Sequence, residues 1–139
     1  MRYILYTDGG ARNNPGPAGA GAVLYELKVK SEKSKVGEWG KYLGEATNNQ
    51  AEYQALILGL EQAKNYEVEE LQCFLDSELL VKQMKREYRV KDQGLAPLFL
   101  KAWNLAMKFK KITFTHVPRE QNKEADKLVN QVIDDSLKK

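Results

Sequence analysis

A change of hydrophobic rhythm near Asn49 restricts what this chain can fold into more than any other feature. Before it, β-prone segments alternate with glycine and proline turns. After it, apolar residues recur at helical spacing, broken by only two short extended runs. Arg2 to Thr7 (RYILYT) reads as a strand, and Gly9 to Pro17 as a turn. Gly19 to Lys30 restarts an extended segment whose small residues suit close backbone packing. Ser31 to Lys35 fits a hairpin tip and Val36 to Ala46 a returning strand, so three antiparallel strands are predicted. Ala55, Leu56, Gly59, Leu60 and Ala63 mark a helix face, with Asn48 or Asn49 available to cap it. Leu71 to Leu75 has the continuous apolar character of a central strand. A short helix over Leu79 to Met84 follows it, then a longer helical stripe from Leu95 to Phe109. Ile112 to Val117 alternates as a strand, and Ala125, Leu128, Val129, Val132 and Ile133 form an amphipathic closing helix. The order β-β-β-α-β-α-α-β-α predicts an α/β fold. Its sheet is mixed and five-stranded, three antiparallel strands followed by parallel ones, with helices on both faces.

At 139 residues the chain suits one domain, 1–139, able to bury a single core. No apolar run approaches the roughly 18 residues of a membrane span, and the N-terminus lacks a signal-peptide layout. A membrane location is not expected. The single cysteine, Cys73, permits no intrachain disulfide and reads as a buried strand thiol, in keeping with a reducing cytoplasm. Because the first strand begins almost at Met1, the chain reads as a stand-alone domain, and a monomer is expected.

Four acids sit where these patterns place strand ends or helix starts: Asp8, Glu52, Asp76 and Asp126. Strand ends in α/β folds face a crevice, and acids gathered there cannot all remain ionised unless a cation neutralises them. Such hard oxygen ligands suit Mg²⁺ or Mn²⁺. Each acid also has an ordinary explanation. Asp8 precedes Gly-Gly and could form a turn. Glu52 lies three residues after Asn49, as in a capping box. Asp76 could cap the following helix, and Asp126 could be surface charge. The 22 Lys and Arg against 19 Asp and Glu mean little alone. If the four acids share one cation-filled pocket, the remaining surface is more basic than that balance suggests.

The segments TDGGARNNPGPAGAG, TNNQAEYQAL, LDSELLVKQM and HVPREQNKEADKL, in this order, resemble type 1 ribonuclease H, over about Tyr3 to Val132. The resemblance implies a ribonuclease H-like fold and endonucleolytic cleavage of the RNA strand of RNA–DNA hybrids. It implies two divalent ions, Mg²⁺ with Mn²⁺ as substitute, held by Asp8, Glu52, Asp76 and Asp126. Asp8 would bridge both ions, Glu52 and Asp76 would hold the one on the leaving-group side, and Asp126 the one that activates water. Two-ion sites of this kind serve in-line phosphoryl displacement.

Many family members place a histidine before the last acid. The only histidine here is His116, which the strand pattern puts at the end of an extended segment, whereas Arg119 occupies the following loop. The HVPREQN form is similar to an archaeal and bacterial branch that uses arginine there, which favours Arg119 over His116 as auxiliary group. An arginine stays protonated and would hold phosphate rather than act as a base. Matching family positions make Asn14, Asn48 and Asn49 candidate readers of the hybrid minor groove and Thr47 a candidate DNA-phosphate contact. The basic, tryptophan-rich protrusion of some relatives is reduced to Lys85–Leu95. With Lys82, that stretch supplies a modest patch of Lys82, Lys85, Arg86, Arg89 and Lys91, and salt-sensitive hybrid binding is expected. Double-stranded RNA is a further candidate substrate. Two other readings remain: a non-catalytic hybrid-binding module, which would be expected to lose an acid, and a 3′–5′ exonuclease of the same superfold, which would begin with Asp-x-Glu.

Overall fold

Glycines let two of the helices lie directly on this sheet. The structure is a computed structural model describing residues 1–138, so the last residue of the expected 1–139 domain lies outside it. Its strands are β1 (Arg2–Ala11), β2 (Gly16–Leu27), β3 (Lys33–Ala46), β4 (Glu70–Leu75) and β5 (Lys111–His116). Its helices are α1 (Asn48–Ala63), α2 (Glu78–Met84), α3 (Ala96–Ala106) and α4 (Lys123–Leu137). The sheet order is β3-β2-β1-β4-β5, with β1–β2 and β2–β3 antiparallel and β1–β4 and β4–β5 parallel. This is the predicted mixed five-stranded sheet.

Period-two alternation along β1 splits the core in two. Tyr3 and Leu5 join Leu24, Leu71, Cys73 and Leu75 against Tyr53, Leu56 and Leu60 of α1, with Leu80 of α2 and Phe99 of α3 beyond. Ile4 joins Val23 and Tyr25 against Ala125 of α4 on the opposite face. Helices therefore cover both faces. A Cβ on Gly21 would come within 2.5 Å of the Ala125 carbonyl oxygen, so glycine is what admits α4 against β2. Cys73 is buried as predicted, and burial pushes its thiol pKa up.

Several boundaries differ from expectation. β1 does not stop at Thr7 but continues through Asp8, Gly9 and Gly10 to Ala11, paired with Gly21, Ala20, Gly19 and Ala18 of β2. Gly9 there serves close contact with α1 rather than a turn, whereas Gly10 has room for a side chain. Helix α3 ends at Ala106, so Phe109 packs on the core from the loop beyond it.

Helix α1 is capped by Thr47, not by Asn48 or Asn49. The Thr47 hydroxyl accepts from Gln50 N at 3.1 Å, and Gln50 Oε1 accepts from Thr47 N at 2.9 Å. Thr47→Ala is expected to cost about 1 kcal/mol of unfolding free energy in a urea titration.

Candidate active site

Neighbours take up the alternative roles of two of the acids, and strand pairing removes that of a third. The capping box uses Thr47 and Gln50, which leaves Glu52 out of it. Ser77, not Asp76, caps α2, its hydroxyl accepting from Leu80 N at 3.2 Å. Asp8 lies inside β1 rather than in a turn. It stands one residue past Thr7, whose pairing with Leu75 is the last between β1 and β4. Asp76 is the residue after β4. The two parallel strands thus deliver Asp8 and Asp76 to the same end of the sheet, as strand carboxyl ends do in open α/β folds.

Glu52 arrives from α1, its Oε1 accepting from Gly9 N at 2.6 Å. Asp8, Glu52 and Asp76 each offer one carboxylate oxygen, all within 4.8 Å of one another. Asp126, in the first turn of α4, lies outside this set but hydrogen-bonds the Asp8 carboxyl.

Asp8 is only 5 % exposed. Burial first, then the Asp76 charge and the contact with Asp126, push its pKa up to about 8 against a partly offsetting Arg119. Burial and the charges of Asp8 and Asp76 push Glu52 well above the usual carboxylate range, although the Gly9 amide pulls it back. Burial and crowding disfavour the charged forms of Asp8 and Glu52, which a cation would relieve. The donors are carboxylate oxygens without histidine or cysteine, which fits a hard divalent ion.

Arg119 lies in a 3₁₀ turn (Arg119–Gln121) and its charge reaches Asp8. His116 closes β5, paired with Leu75 and exposed beside Glu78, Lys82 and Lys85. Asn14 Oδ1 accepts from Asn48 N at 3.0 Å, and Asn48 Oδ1 accepts from Ala11 N at 2.8 Å. These bonds tie the β1–β2 turn to the start of α1, with Asn49 exposed alongside. The basic patch is weaker than its count. Lys82 pairs with Glu78 at 3.2 Å and Lys85 with Glu87 at 3.5 Å, while Arg86 lies over the Phe99 and Trp103 rings.

The family described as Reverse transcriptase-like matches residues 6–132. The crystal structure of RNase H1 from the halophilic archaeon Halobacterium salinarum superimposes with a TM-score of 0.89 at 40% identity, covering 97% of this chain and 99% of that one. This chain belongs to the type 1 ribonuclease H family. LC11-RNase H1, solved in complex with RNA/DNA hybrid, gives a TM-score of 0.88 at 43% identity, covering 97% of this chain and 99% of that one. The N-terminal RNase H domain of a Mycobacterium tuberculosis protein gives 0.91 at 38%, covering 99% and 97%. The curated relatives are longer. The chain spans 36% of the bifunctional protein of Mycobacterium tuberculosis, to which it is 40% identical over 134 residues, 96% of this chain. It spans 66% of the Halobacterium salinarum ribonuclease HI, 40% identical over 135 residues, 97% of this chain.

The sequence reading of this ribonuclease H family member missed Asn122. It is 1 % exposed, and its Nδ2 donates to Thr7 O at 2.8 Å and to Asp76 Oδ2 at 3.4 Å, joining β1, β4 and the start of α4 beneath the acids. The signal was available: Asn122 continues the Ala125–Val129–Ile133 stripe one turn backwards, and a polar residue on a buried stripe calls for a partner.

Proposed function

We propose that the protein is a metal-dependent endonuclease that hydrolyses the RNA strand of RNA–DNA hybrids. One observation carries the reading: the carboxylate oxygens of Asp8, Glu52 and Asp76 gather within 4.8 Å at the sheet end. Asp8, Glu52, Asp76 and Asp126 would hold two Mg²⁺ ions, with Mn²⁺ as substitute. When bound, such ions supply an activated water and neutralise the leaving oxygen of an in-line displacement.

The remaining groups bind and orient. Asp8, buried between the other acids, is the central ligand. Arg119 keeps a fixed positive charge near Asp8 and would hold the phosphate, since a guanidinium does not accept a proton at working pH. Asn14 and Asn48 use their amide oxygens on backbone N–H groups. Both Nδ2 groups therefore remain as donors, suited to ribose hydroxyls in the minor groove. The Thr47 hydroxyl accepts from Gln50 N and keeps its own proton for a DNA phosphate. Asn49 completes this edge.

The test is a hybrid blocked at both RNA ends, incubated with Mg²⁺, with Mn²⁺ or with chelator. Internal cleavage of the RNA strand in both metals and none with chelator is expected. No cleavage of the blocked hybrid with either metal would refute the proposal, and degradation seen only with an unblocked copy of the same hybrid would favour an exonuclease. A double-stranded RNA of the same sequence, run in parallel, measures whether the activity extends to that substrate.

A further inference from the structure

Three of the four acids are fixed by backbone. Asp8 lies within a strand, Asp76 directly follows one, and Glu52 is pinned by the Gly9 amide. Asp126 is different. It rides on α4 and lies outside the tight three-acid set, and among the described residues no backbone N–H donates to its carboxylate. Its restraint is Asn130, one helical turn along, whose Nδ2 donates to Asp126 O at 3.1 Å and lies 3.5 Å from Asp126 Oδ2.

Asn130 is itself held. Arg12 Nη2 donates to Asn130 Oδ1 at 3.3 Å and to Asn130 O at 3.5 Å. Arg12 Nη1 pairs with Asp134 Oδ1 at 2.6 Å. The backbone of Arg12 is anchored across the turn, its N donating to Pro17 O at 2.8 Å. Asp126, Asn130 and Asp134 fall at i, i+4 and i+8, on one face of α4 turned toward this arginine. The guanidinium fork occupies the Asn130 amide oxygen and so commits the amide's donor end to Asp126.

The same short turn holds α1. Ala11 N and Asn14 Oδ1 both bond to Asn48. The β1–β2 turn thus grips the two helices that carry Glu52 and Asp126, the two acids not delivered by strands.

We infer that Arg12 is a positioning residue for Asp126, acting through Asn130 and Asp134. It sets the fourth carboxylate against Asp8 for the divalent ion that Asp126 shares. The inference rests on the nuclease reading above. An Asp126 without this restraint would have to be ordered by the ion itself, at a cost in affinity.

The experiment uses the full chain as wild type, Arg12→Ala, Arg12→Lys, Asn130→Ala and the Arg12→Ala/Asn130→Ala double variant. Two quantities are measured: Mn²⁺ binding by calorimetry without substrate, and hybrid cleavage as a function of Mg²⁺. Arg12→Ala and Asn130→Ala should each raise the half-saturating concentration of the weaker Mn²⁺ site, and the Mg²⁺ needed for half-maximal kcat, by about tenfold, the lower end for groups that orient a metal ligand. The hybrid KM at saturating Mg²⁺ should not change, and the double variant should be no worse than either single one. Arg12→Lys should stay impaired, because an ammonium can keep Asp134 but does not reproduce the fork onto Asn130. Unchanged Mn²⁺ binding with a raised hybrid KM would make Arg12 a direct phosphate contact and overturn the inference. A lowered melting temperature with unchanged Mn²⁺ binding would reduce it to a helix anchor and overturn it as well. A wild type that neither binds Mn²⁺ nor cleaves would overturn the nuclease reading itself, and this inference with it.

Discussion

Asp8→Asn should abolish hybrid cleavage while making the metal-free protein more stable at alkaline pH. The loss of activity should be on the order of a thousandfold or more, since the central ligand would lose its charge where charge stabilisation governs the rate. The gain in stability follows from the same charge. Folding raises the Asp8 pKa from 3.8 to about 8, so between these values the folded chain holds a proton that the unfolded chain has released. Stability must then fall as pH rises across that window. The contribution is fully present below the unfolded pKa and is lost once the pH passes about 8. At roughly 1.4 kcal/mol per pKa unit the effect is on the order of several kcal/mol. Urea unfolding in chelator at about pH 5 and about pH 9 should show a steep loss for wild type and a shallower one for Asp8→Asn. Glu52, shifted the same way, would supply the remaining slope. Saturating Mn²⁺ should flatten the wild-type curve by binding the folded state alone. A variant that cleaves like wild type, or a wild type equally stable at both pH values, would show that these acids do not form a strained cation site.

Much of this site was legible because the chemistry imposes residue types that ordinary folding does not require in combination. Asp8 and Asp76 follow apolar runs, and parallel pairing of those runs has to place them side by side. The sequence could not reveal which residues cap the helices. Thr47 and Ser77 were equally good caps, and only the fold shows that they take the role and leave Glu52 and Asp76 for the cluster. The end of β1 was misread for a related reason. Gly9-Gly10 has the composition of a turn, and nothing local indicates that Glu52 and its helix, 43 residues later, will press on it. The clamp from Arg12 to Asn130 and Asp134 joins residues more than a hundred positions apart. Single-sequence patterns carry no information about such pairs. The Arg119 and His116 alternatives were separable in part, because strand alternation already carried His116 to the end of β5 and left Arg119 in the loop that turns back toward Asp8.

The contact at Gly9 makes the second large effect. Gly9→Ala should cost about 3 kcal/mol or more and lower cleavage along with it, at the severe end of overpacking. A Cβ at Gly9 would overlap the Ala51 carbonyl and lie 2.5 Å from Glu52 N. Both obstacles are helix backbone, and Ala51 is fully buried, so no side-chain rotation relieves the clash. Helix α1 would have to move off β1, carrying Glu52 away from the Gly9 amide that holds it. Stability and site geometry would therefore fail together. Gly10→Ala is the matched control. Its Cβ would meet only Val129 Cγ1, at 3.8 Å, an ordinary contact. That substitution should stay within about 1 kcal/mol of wild type, helped by the lower entropy of the unfolded chain. Urea titrations of both variants in saturating Mg²⁺, read beside hybrid cleavage, separate the cases. Equal stability of the two would mean that α1 does not rest on β1 at Gly9, and the placement of Glu52 beside Asp8 would lose its physical basis.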